Sequence, residues 1–357
     1  MAPAIDSLGL REAIFDLPEQ MAAAVRSLTV TGPLPDHDEN ANVLVLGTGA
    51  AGWVGDLLNA VAGPFMPVPL VVHKGFEPPS FVDPTTLVVA ISQSGETADT
   101  LEAVRHAKDQ KARVLAICNT NGAQIPRESD AVLYTHAGPE IGVASTKCFL
   151  AQIAAAYLVG LALAQARGTK YADEVAREFH ELEAMPASVT EVLTTMDPVR
   201  ELARSLAHHS TVLFIGRHVG YPVALEGALK LKELAYMHAE GFAAGELKHG
   251  PIALIEQDLP VIIVMPQHSG RAVLHSKMVS NIREIQARGA TTIVISEETD
   301  TAARAVADHF IAIPAVPTLL QPLVSTVPLQ VFAATVAQAR GYDVDKPRNL
   351  AKSVTVE

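Results

Sequence analysis

A turn rich in hydroxyl and amide side chains follows a short apolar run in the first third of the chain. Its polar residues are Ser92, Gln93, Ser94 and Thr97. Gly95 lies among them, and a helical stretch begins near Asp99. Glycine lets the backbone approach a ligand, hydroxyl groups donate hydrogen bonds, and a helix N-terminus offers unpaired N–H groups to an anion. The pattern therefore fits a phosphate-binding turn, although an ordinary capped helix has a similar composition.

A second group of reactive side chains lies within residues 224–251. Lys230 and Glu233 are three residues apart in an alanine- and leucine-rich helical stretch, so they share one helix face. An exposed Lys–Glu pair contributes little, whereas burial among these apolar residues shifts pKa values. His249 follows in a loop that contains a Gly-Pro pair, where a histidine usually has no catalytic role. The residue types alone leave both alternatives open for the pair and for the histidine.

Short runs of apolar, β-branched residues alternate with helical stretches along the chain. The predicted strands are 43–47, 69–73, 86–92, 113–119, 211–216, 260–266 and 291–296. This alternation predicts parallel sheets with crossover helices, an α/β fold. The order of elements that begins before Gly47 starts again before Gly216, 169 residues later, so we expect two α/β units of about 150 residues each. A charged helix is predicted at 172–193, and a leading helix at 9–28 is expected to restart at Pro18.

The composition of the 357-residue chain narrows the functional classes. With 27 Lys and Arg against 39 Asp and Glu, the formal charge is −12, which argues against a nucleic-acid-binding protein. The high apolar content predicts an ordered core. Cys118 and Cys148 stand in apolar surroundings and are expected to be buried free thiols, too few for a disulfide framework or a four-cysteine zinc site.

Two segments bear on the location of the protein. Residues 1–11 lack the basic start and apolar core of a signal peptide. The apolar stretch 149–166 is almost long enough to cross a membrane, but it contains Gln152 and Gln165 and is built largely on alanine and glycine. We therefore expect a buried helix there and a cytoplasmic protein without membrane contact.

Longer motifs in this sequence resemble the sugar isomerase (SIS) family, and within it the isomerase half of the glutamine–fructose-6-phosphate aminotransferases. The motifs are SQSGETADTL, RESD (127–130), EIGVASTKCF, ALEGALKLKE, HAEGFAAGELKHGPIALI, STVPLQ (325–330) and the tail DVDKPRNLAKSVTVE. The resemblance covers roughly residues 85–357. The resemblance implies two flavodoxin-like SIS subdomains, each a parallel sheet flanked by helices, and chains that pair as homodimers with shared active sites.

The same resemblance implies an organisation in five parts. They are an N-terminal helical segment at 1–35, a first SIS subdomain with the phosphate loop at 36–170, a helical connector at 171–200, a second SIS subdomain at 201–340 and a C-terminal active-site tail at 341–357.

Roles for individual residues are also implied by the resemblance. Phosphate binding falls to Ser92, Gln93, Ser94 and Thr97, and sugar contacts fall to Thr48, Val143 and Ser145. For catalysis, Glu233 moves a proton between C1 and C2 of the sugar, and Lys352 forms a Schiff base with the open-chain ketose. His249, reaching in from the partner chain, assists ring opening, and Lys230 supports the proton relay. These residue types suit the chemistry, and the route requires neither a metal nor a cofactor.

Two features depart from the aminotransferase pattern. The family's glutaminase domain starts with a nucleophilic cysteine, whereas residue 2 here is alanine and the first predicted strand already begins at residue 43. We therefore expect this chain not to hydrolyse glutamine by itself. Residues 43–85, with Leu46-Gly47-Thr48-Gly49 in place of Cys-Gly-Thr-Ser, instead resemble the SIS-type phosphoglucose/phosphomannose isomerases.

The expected function is the interconversion of fructose 6-phosphate with glucosamine 6-phosphate or glucose 6-phosphate by proton transfer between C1 and C2. The substrate is then a hexose 6-phosphate or amino-hexose 6-phosphate, and a separate glutaminase chain is a candidate partner. An aminosugar-phosphate deaminase or deglycase is an alternative enzyme. A non-catalytic regulator that senses a sugar phosphate is an alternative of another class, but such regulators usually lose the catalytic set that this chain keeps in Glu233, His249 and Lys352.

Overall fold

The computed structural model describes residues 6–27, 29–31, 40–268 and 272–352. Its strands are β1 (Thr29–Thr31), β2 (Asn42–Leu46), β3 (Leu70–His73), β4 (Thr86–Ser92), β5 (Arg113–Cys118), β6 (Ala131–Tyr134), β7 (Thr211–Gly216), β8 (His238–Ala243), β9 (Pro260–Val264), β10 (Thr291–Glu297) and β11 (His309–Ile313). Its α-helices are α1 (Leu10–Phe15), α2 (Leu17–Ser27), α3 (Ala50–Ala62), α4 (Ala98–Asp109), α5 (Gln124–Glu128), α6 (Lys147–Ala166), α7 (Ala172–Thr194), α8 (Asp197–Leu206), α9 (Gly220–Ala235), α10 (Ala272–Gln286), α11 (Thr301–Arg304) and α12 (Gln321–Ala339). Short 3₁₀ turns lie at Gly63–Phe65, Leu247–His249 and Pro251–Leu254.

The chain divides into two compact units, each built around one sheet. The first unit comprises the described residues of 19–140, 145–184 and 351–352, and its six strands run in the order β1-β6-β5-β4-β2-β3. β1 pairs antiparallel with β6, and the other neighbours pair in parallel. Every residue of the central strand β4 is buried, as expected for a parallel strand covered by helices on both faces.

The second unit comprises the described residues of 6–18, 141–144 and 185–350, and its five strands run in the order β11-β10-β9-β7-β8. All of its neighbouring strands pair in parallel. Apart from β1, the two sheets have the same order, because β3-β2-β4-β5-β6 in one corresponds to β8-β7-β9-β10-β11 in the other. This is the flavodoxin-like strand order. The predicted α/β fold and its repeated architecture are confirmed.

Each unit enters its first crossover helix through a tight glycine turn. β2 leads into α3 at Gly47, and β7 leads into α9 at Gly216. A Cβ atom on Gly216 would lie only 2.1 Å from the carbonyl oxygen of Gly220. Glycine is therefore required for α9 to start this close to the end of its strand.

Most predicted elements are present, with small shifts at their ends. The leading helix is interrupted as predicted, because α1 ends at Phe15 and α2 begins at Leu17, one residue before Pro18. The charged helix is α7. The sequence did not predict β1, β6, β8 and β11. β1 and β6 are only three and four residues long, and β8 (HAEGFA) has no β-branched residue, so their local signal is weak.

Apolar side chains cover the faces of both sheets. In the first unit, one cluster joins residues of β2, β4 and β5 to Leu101 and Val104 of α4. In the second unit, a cluster joins residues of β7, β9 and β10 to Met278 and Ile282 of α10. Both cysteines are buried free thiols, as predicted.

Two helices, α6 and α12, are long and apolar enough to cross a membrane by length and composition alone. Within the apolar 18-residue window of each helix, 83% of α6 and 89% of α12 is buried inside the structure. Such burial is typical of core helices in globular proteins. The buried helix predicted at 149–166 is confirmed as part of α6.

Candidate active site

The turn between β4 and α4 is braced by hydrogen bonds among its own residues. The buried Ser92 hydroxyl accepts the Gly95 N–H at 3.0 Å and lies 3.1 Å from the Thr97 hydroxyl. The Ser94 hydroxyl accepts the Glu96 N–H at 3.2 Å. Ser92 therefore shapes the turn from inside, whereas Ser94 and Thr97 are half-buried and partly accessible at the start of α4.

Gly95 is the point at which this turn passes closest to the loop after β5. Its φ is +69°, and a Cβ atom there would lie 2.6 Å from the Ala123 Cβ and 2.8 Å from the Cys118 Sγ. Another residue would displace the turn. Gln93 is tied to the same loop, because its carbonyl oxygen accepts the Asn119 N–H at 3.4 Å. Burial raises the pKa of the Cys118 thiol to about 11, so the sulfur beside the turn is uncharged at neutral pH.

The start of α4 has the character of an anion site. Thr97 is the N-cap residue, yet its side chain makes no capping hydrogen bond. The first N–H groups of a helix lack intrahelical partners and carry the positive end of the helix dipole. A phosphate here can accept from these N–H groups and from the hydroxyls of Ser94 and Thr97. This arrangement differs from the ordinary side-chain-capped helix that the composition also allowed.

Thr48 follows β2 at the same edge of the sheet as this turn. β2 and β4 are adjacent and parallel, with Leu46 paired to Ala90, so the turns after them emerge side by side. β3 lies on one side of β2 and β4 on the other. Ligands of open α/β sheets bind at the carboxyl ends of the strands where the order reverses in this way. Thr48 is half-buried at that switch point.

Glu140 organises the segment that carries Ser145. Its buried carboxylate accepts hydrogen bonds from the Thr146 N–H at 3.2 Å, the Thr146 hydroxyl at 2.8 Å and the Cys148 N–H at 2.9 Å. The Ser145 hydroxyl donates to the same carboxylate at 3.4 Å. Glu140 thus takes the place of a side-chain N-cap for α6. Glu140 was not predicted from the sequence, although it lies within the motif EIGVASTKCF.

Three charged residues form a buried row on one face of α9. Lys230 is 1% exposed, and its Nζ lies 2.6 Å from Oε2 of Glu233 and 3.3 Å from Oε1 of the fully buried Glu226. Burial alone lowers the pKa of Lys230, but the carboxylates of Glu226 and Glu233 outweigh it and hold the pKa above its ordinary value. The Glu233 side chain keeps 21% of its surface exposed. Within the row, Glu226 is therefore shielded from solvent, whereas Glu233 is partly accessible to it.

This geometry resolves the alternatives that the sequence left open for the Lys–Glu pair. The pair is buried at its lysine, as the apolar surroundings indicated, and the interpretation as a surface ion pair is wrong. Glu226 was not predicted. Its position four residues before Lys230 places it on the same helix face, so the spacing contained a signal for it.

His249 ends the 3₁₀ turn Leu247–His249 in an exposed loop of the second unit. Its N–H donates to the Glu246 carbonyl at 2.9 Å. Nζ of the preceding Lys248 lies 2.7 Å from Oε1 of Glu284 on α10, and this hydrogen bond is the main reason that the pKa of Glu284 is lowered. The ion pair ties the loop to α10 and leaves the His249 side chain exposed.

The segment after α12 has no helix or strand in its described part, yet distant residues hold it. The Asp345 carboxylate accepts the Leu8 N–H at 2.6 Å and the Leu10 N–H at 3.0 Å. Burial raises the pKa of Asp345. The Asp345 carbonyl accepts the Val143 N–H at 3.3 Å. Val143 is thereby fixed beside the tail.

Lys352 is half-buried and is the last residue that the structure describes. Burial and the Glu140 carboxylate raise the pKa of the Cys148 thiol, and the charge of Lys352 opposes them. The Lys352 ammonium therefore lies near the segment that carries Ser145. Tail residues 353–357 lie outside the described part of the chain.

The sequence-predicted site residues fall into two sets, one in each unit. The first unit carries Thr48, Ser92, Gln93, Ser94, Thr97, Ser145 and Lys352, and the second carries Val143, Lys230, Glu233 and His249. Over the described ranges 6–27, 29–31, 40–268 and 272–352, no group of three or more His, Cys, Asp or Glu side chains could hold a metal ion.

The chain is similar to known proteins over most of its length. The SIS domain model matches residues 37–162 and 205–340. The glutamine–fructose-6-phosphate aminotransferase [isomerizing] of Mycolicibacterium paratuberculosis is 80% identical over 276 residues, which is 77% of this chain and 44% of that protein. The enzyme of the same name from Corynebacterium diphtheriae is 60% identical over 319 residues, 88% of this chain and 51% of that protein. The chain thus spans about half the length of these curated relatives.

A solved structure supports the same relationship. The C-terminal domain of glucosamine-fructose-6-phosphate aminotransferase from Francisella tularensis superposes with a TM-score of 0.87 at 32% identity, covering 95% of this chain and 98% of that one. The resemblance inferred from the motifs is confirmed by these matches, and the part of the relatives that they cover is the isomerase half. This chain belongs to the SIS-domain family.

Proposed function

We propose that this chain carries out the isomerase reaction of the glutamine–fructose-6-phosphate aminotransferases, interconverting fructose 6-phosphate with glucosamine 6-phosphate or glucose 6-phosphate. The row Glu226–Lys230–Glu233 carries the proposal, because it holds one partly exposed carboxylate at the open end of a buried group of charges. Moving a proton between two carbons beside a carbonyl requires a base held in this way. The names of the relatives support the same reaction.

Substrate binding is assigned to the first set of site residues and to Val143. Ser94, Thr97 and the N-terminus of α4 bind the phosphate, with Ser92 and Gln93 shaping the turn. Thr48, Val143 and Ser145 contact the sugar. Glu140 supports this assignment, because its hydrogen bonds fix the backbone next to Ser145.

The chemistry proceeds on the open-chain sugar, and His249 assists the opening of the ring. The Lys352 amine adds to the C2 carbonyl, and loss of water gives a Schiff base. Ammonia then displaces the lysine at C2. Glu233 accepts a proton from C1 and delivers it to C2, while the C1 hydroxyl proton passes to the imine nitrogen, so that C1 becomes the aldehyde and C2 carries the amine. Lys230 stays protonated throughout, since the carboxylates beside it hold its pKa high, and its ammonium remains hydrogen-bonded to Glu233.

The same proton transfer on the ketone itself converts fructose 6-phosphate to glucose 6-phosphate. Purified protein is therefore assayed with fructose 6-phosphate alone, with ammonium and with glutamine, and the products are identified. Glucosamine 6-phosphate formed with ammonium supports the proposal. Release of ammonia from glucosamine 6-phosphate without the synthetic reaction points to a deaminase. Binding without any turnover points to a sugar-phosphate-sensing regulator and contradicts the proposal.

We further propose a homodimer with shared active sites in the cytoplasm, with a separate glutaminase chain as a candidate source of ammonia. The exposed position of His249 supports a role in a neighbouring chain. His249→Ala and Lys352→Ala variants, each inactive alone, are mixed and allowed to exchange subunits. About half of the dimers in a random mixture contain both variants and hold one intact site of two, so about a quarter of wild-type activity returns. No recovery after proven exchange places both residues in one chain's site.

A further inference from the structure

One aromatic side chain, that of Tyr236, contacts the C-terminal segment that leads to Lys352 at two places. Tyr236 directly follows α9, and its ring centroid lies 4.7 Å from that of Tyr342, with the two planes at 46°. The guanidinium carbon of Arg348 lies 4.3 Å from the Tyr236 ring centroid. The backbone N–H of Arg348 also donates a hydrogen bond to the Tyr236 hydroxyl at 2.7 Å. One side chain therefore contacts both ends of the segment 342–348.

The backbone of Tyr236 is in an unusual conformation for a tyrosine. Its φ of 54° and ψ of 35° place it in the left-handed helical region at the C-terminus of α9. Helices commonly end in this conformation on glycine, because a Cβ atom there crowds the neighbouring carbonyl. A residue held in such a conformation indicates that its surroundings compensate for the strain. The ring and hydroxyl contacts with the tail are such a compensation.

The start of the tail is joined to the end of the same helix. Arg340, which follows α12, donates from Nη1 to the carbonyl oxygen of Ala235 at 3.0 Å and from Nε to that of Ala207 at 2.8 Å. A cation at this place satisfies one of the last carbonyls of α9. The tail is thus attached through Arg340 and Tyr236 to the end of the helix that carries Glu233 one turn earlier.

We propose that Tyr236 is a positioning residue for Lys352, a role that rests on the proposed function. Lys352 follows Arg348 by four residues, so even a fully extended chain places their Cα atoms at most about 14 Å apart. Holding Arg348 therefore confines the Lys352 amine before substrate arrives. Less conformational entropy is then lost when the amine reaches C2 of the sugar. Tyr236 acts on the reaction through the tail and does not touch the substrate.

Two substitutions separate this role from a purely structural one. Tyr236→Phe removes the hydroxyl that accepts the Arg348 N–H and keeps the ring. Tyr236→Gly removes the anchor but relieves the left-handed backbone, so its thermal midpoint stays close to wild type. Tyr157→Phe is the matched control, because it removes a tyrosine hydroxyl of the first unit, which lies 3.4 Å from Glu178 on α7.

The readout is the rate at which fructose 6-phosphate and borohydride form a reduced adduct on Lys352, measured by mass spectrometry together with kcat and KM. Tyr236→Phe lowers the adduct rate and kcat by about threefold to tenfold, the factor that one neutral hydrogen bond is worth. Tyr236→Gly lowers both further. KM changes little in either variant, because the phosphate turn is untouched. Tyr157→Phe behaves as wild type.

Hydrogen exchange tests the anchoring of the tail without depending on the reaction, so this proposal and the proposed function can fail separately. Peptides covering residues 341–352 exchange faster in both Tyr236 variants than in wild type and the control. A wild-type protein that forms no Lys352 adduct overturns the proposed Schiff base and, with it, the positioning role. Wild-type adduct formation together with unchanged adduct rates in folded Tyr236→Phe and Tyr236→Gly overturns the positioning role alone. Unchanged protection of the tail in both variants also contradicts it.

Discussion

The Ser92–Thr97 turn and the charged row of α9 use polar groups in opposite ways. The Ser92, Ser94 and Thr97 hydroxyls of the turn are neutral and are bonded to neighbours a few residues away, with Ser94 and Thr97 partly open to solvent. The row consists of full charges, of which Glu226 and Lys230 are almost completely buried. Several neutral donors share the binding of an anion, so each is replaceable at moderate cost. A buried charge without its partner is strongly destabilising.

This difference predicts that the α9 row controls turnover and folding, whereas the turn controls affinity. The largest expected effect is on turnover in Glu233→Gln, which keeps the side-chain shape but removes the base. Turnover and solvent deuterium incorporation into the sugar fall by about 10²–10⁴-fold, the usual contribution of a general base. Binding of fructose 6-phosphate stays close to wild type. The exposed Glu201→Gln on α8 is the control, and an active Glu233→Gln variant contradicts the assignment.

The next largest effect is on stability in Lys230→Met. Loss of the ammonium removes the charge that Lys230 places 3.3 Å from the buried carboxylate of Glu226, and breaking a buried ion pair costs about 3–5 kcal/mol of unfolding free energy. Denaturant unfolding measures this loss. Lys170→Met is the control, because Lys170 pairs with Glu178 in the first unit and is also largely buried. It loses stability but keeps its turnover, whereas Lys230→Met loses both. Wild-type stability in Lys230→Met refutes the buried row.

Substitutions in the turn have smaller, separate effects on affinity. Ser94→Ala and Thr97→Ala each remove one hydroxyl that can donate to a phosphate. Each costs about 1.5–3 kcal/mol, roughly tenfold to a hundredfold in Kd for a hexose 6-phosphate, and the double variant costs more. Calorimetry measures the affinity, with Ser205→Ala on α8 as the control. Unchanged affinity in the double variant removes the phosphate assignment.

The smallest effect is a pH dependence that reports on the row alone. Lys230 has an ordinary pKa of 10.5, raised in the folded protein. Its contribution to stability is complete below pH 10.5 and is lost as pH rises towards the folded value, because only the unfolded chain then gives up the proton. The slope is about 1.4 kcal/mol per pH unit. Wild-type protein therefore shows an alkaline loss of stability that Lys230→Met lacks, and equal slopes in the two proteins argue against a raised pKa.

How much of each region could be predicted from the sequence depends on how far apart along the chain its contacting residues lie. The hydrogen bonds of the Ser92 and Ser94 hydroxyls join residues at most five positions apart, so residue types and spacing indicated the turn directly. The relation of Lys230 to Glu233 was also visible as helical spacing. The apolar surroundings of the pair left its burial open, because the helix that packs on α9 is α12, which lies about a hundred residues further along the chain. A Cβ atom on Gly227 would lie 2.8 Å from Leu329 Cδ1, which shows how closely α12 covers this helix.

The sequence by itself determined the α/β class, the repeat, the hydroxyl-rich turn before a helix and the family, because each rests on local periodicity or on long uninterrupted motifs. Only the tertiary structure decided that Glu226 joins Lys230 and Glu233, that Glu140 fixes the segment at Ser145, and that the tail is anchored. The tail has no periodic pattern, and the residues that hold it, Leu8 and Tyr236, are more than a hundred positions away. Such contacts form only when segments that are distant in the sequence pack side by side. Local composition and residue spacing do not indicate which distant segments will meet.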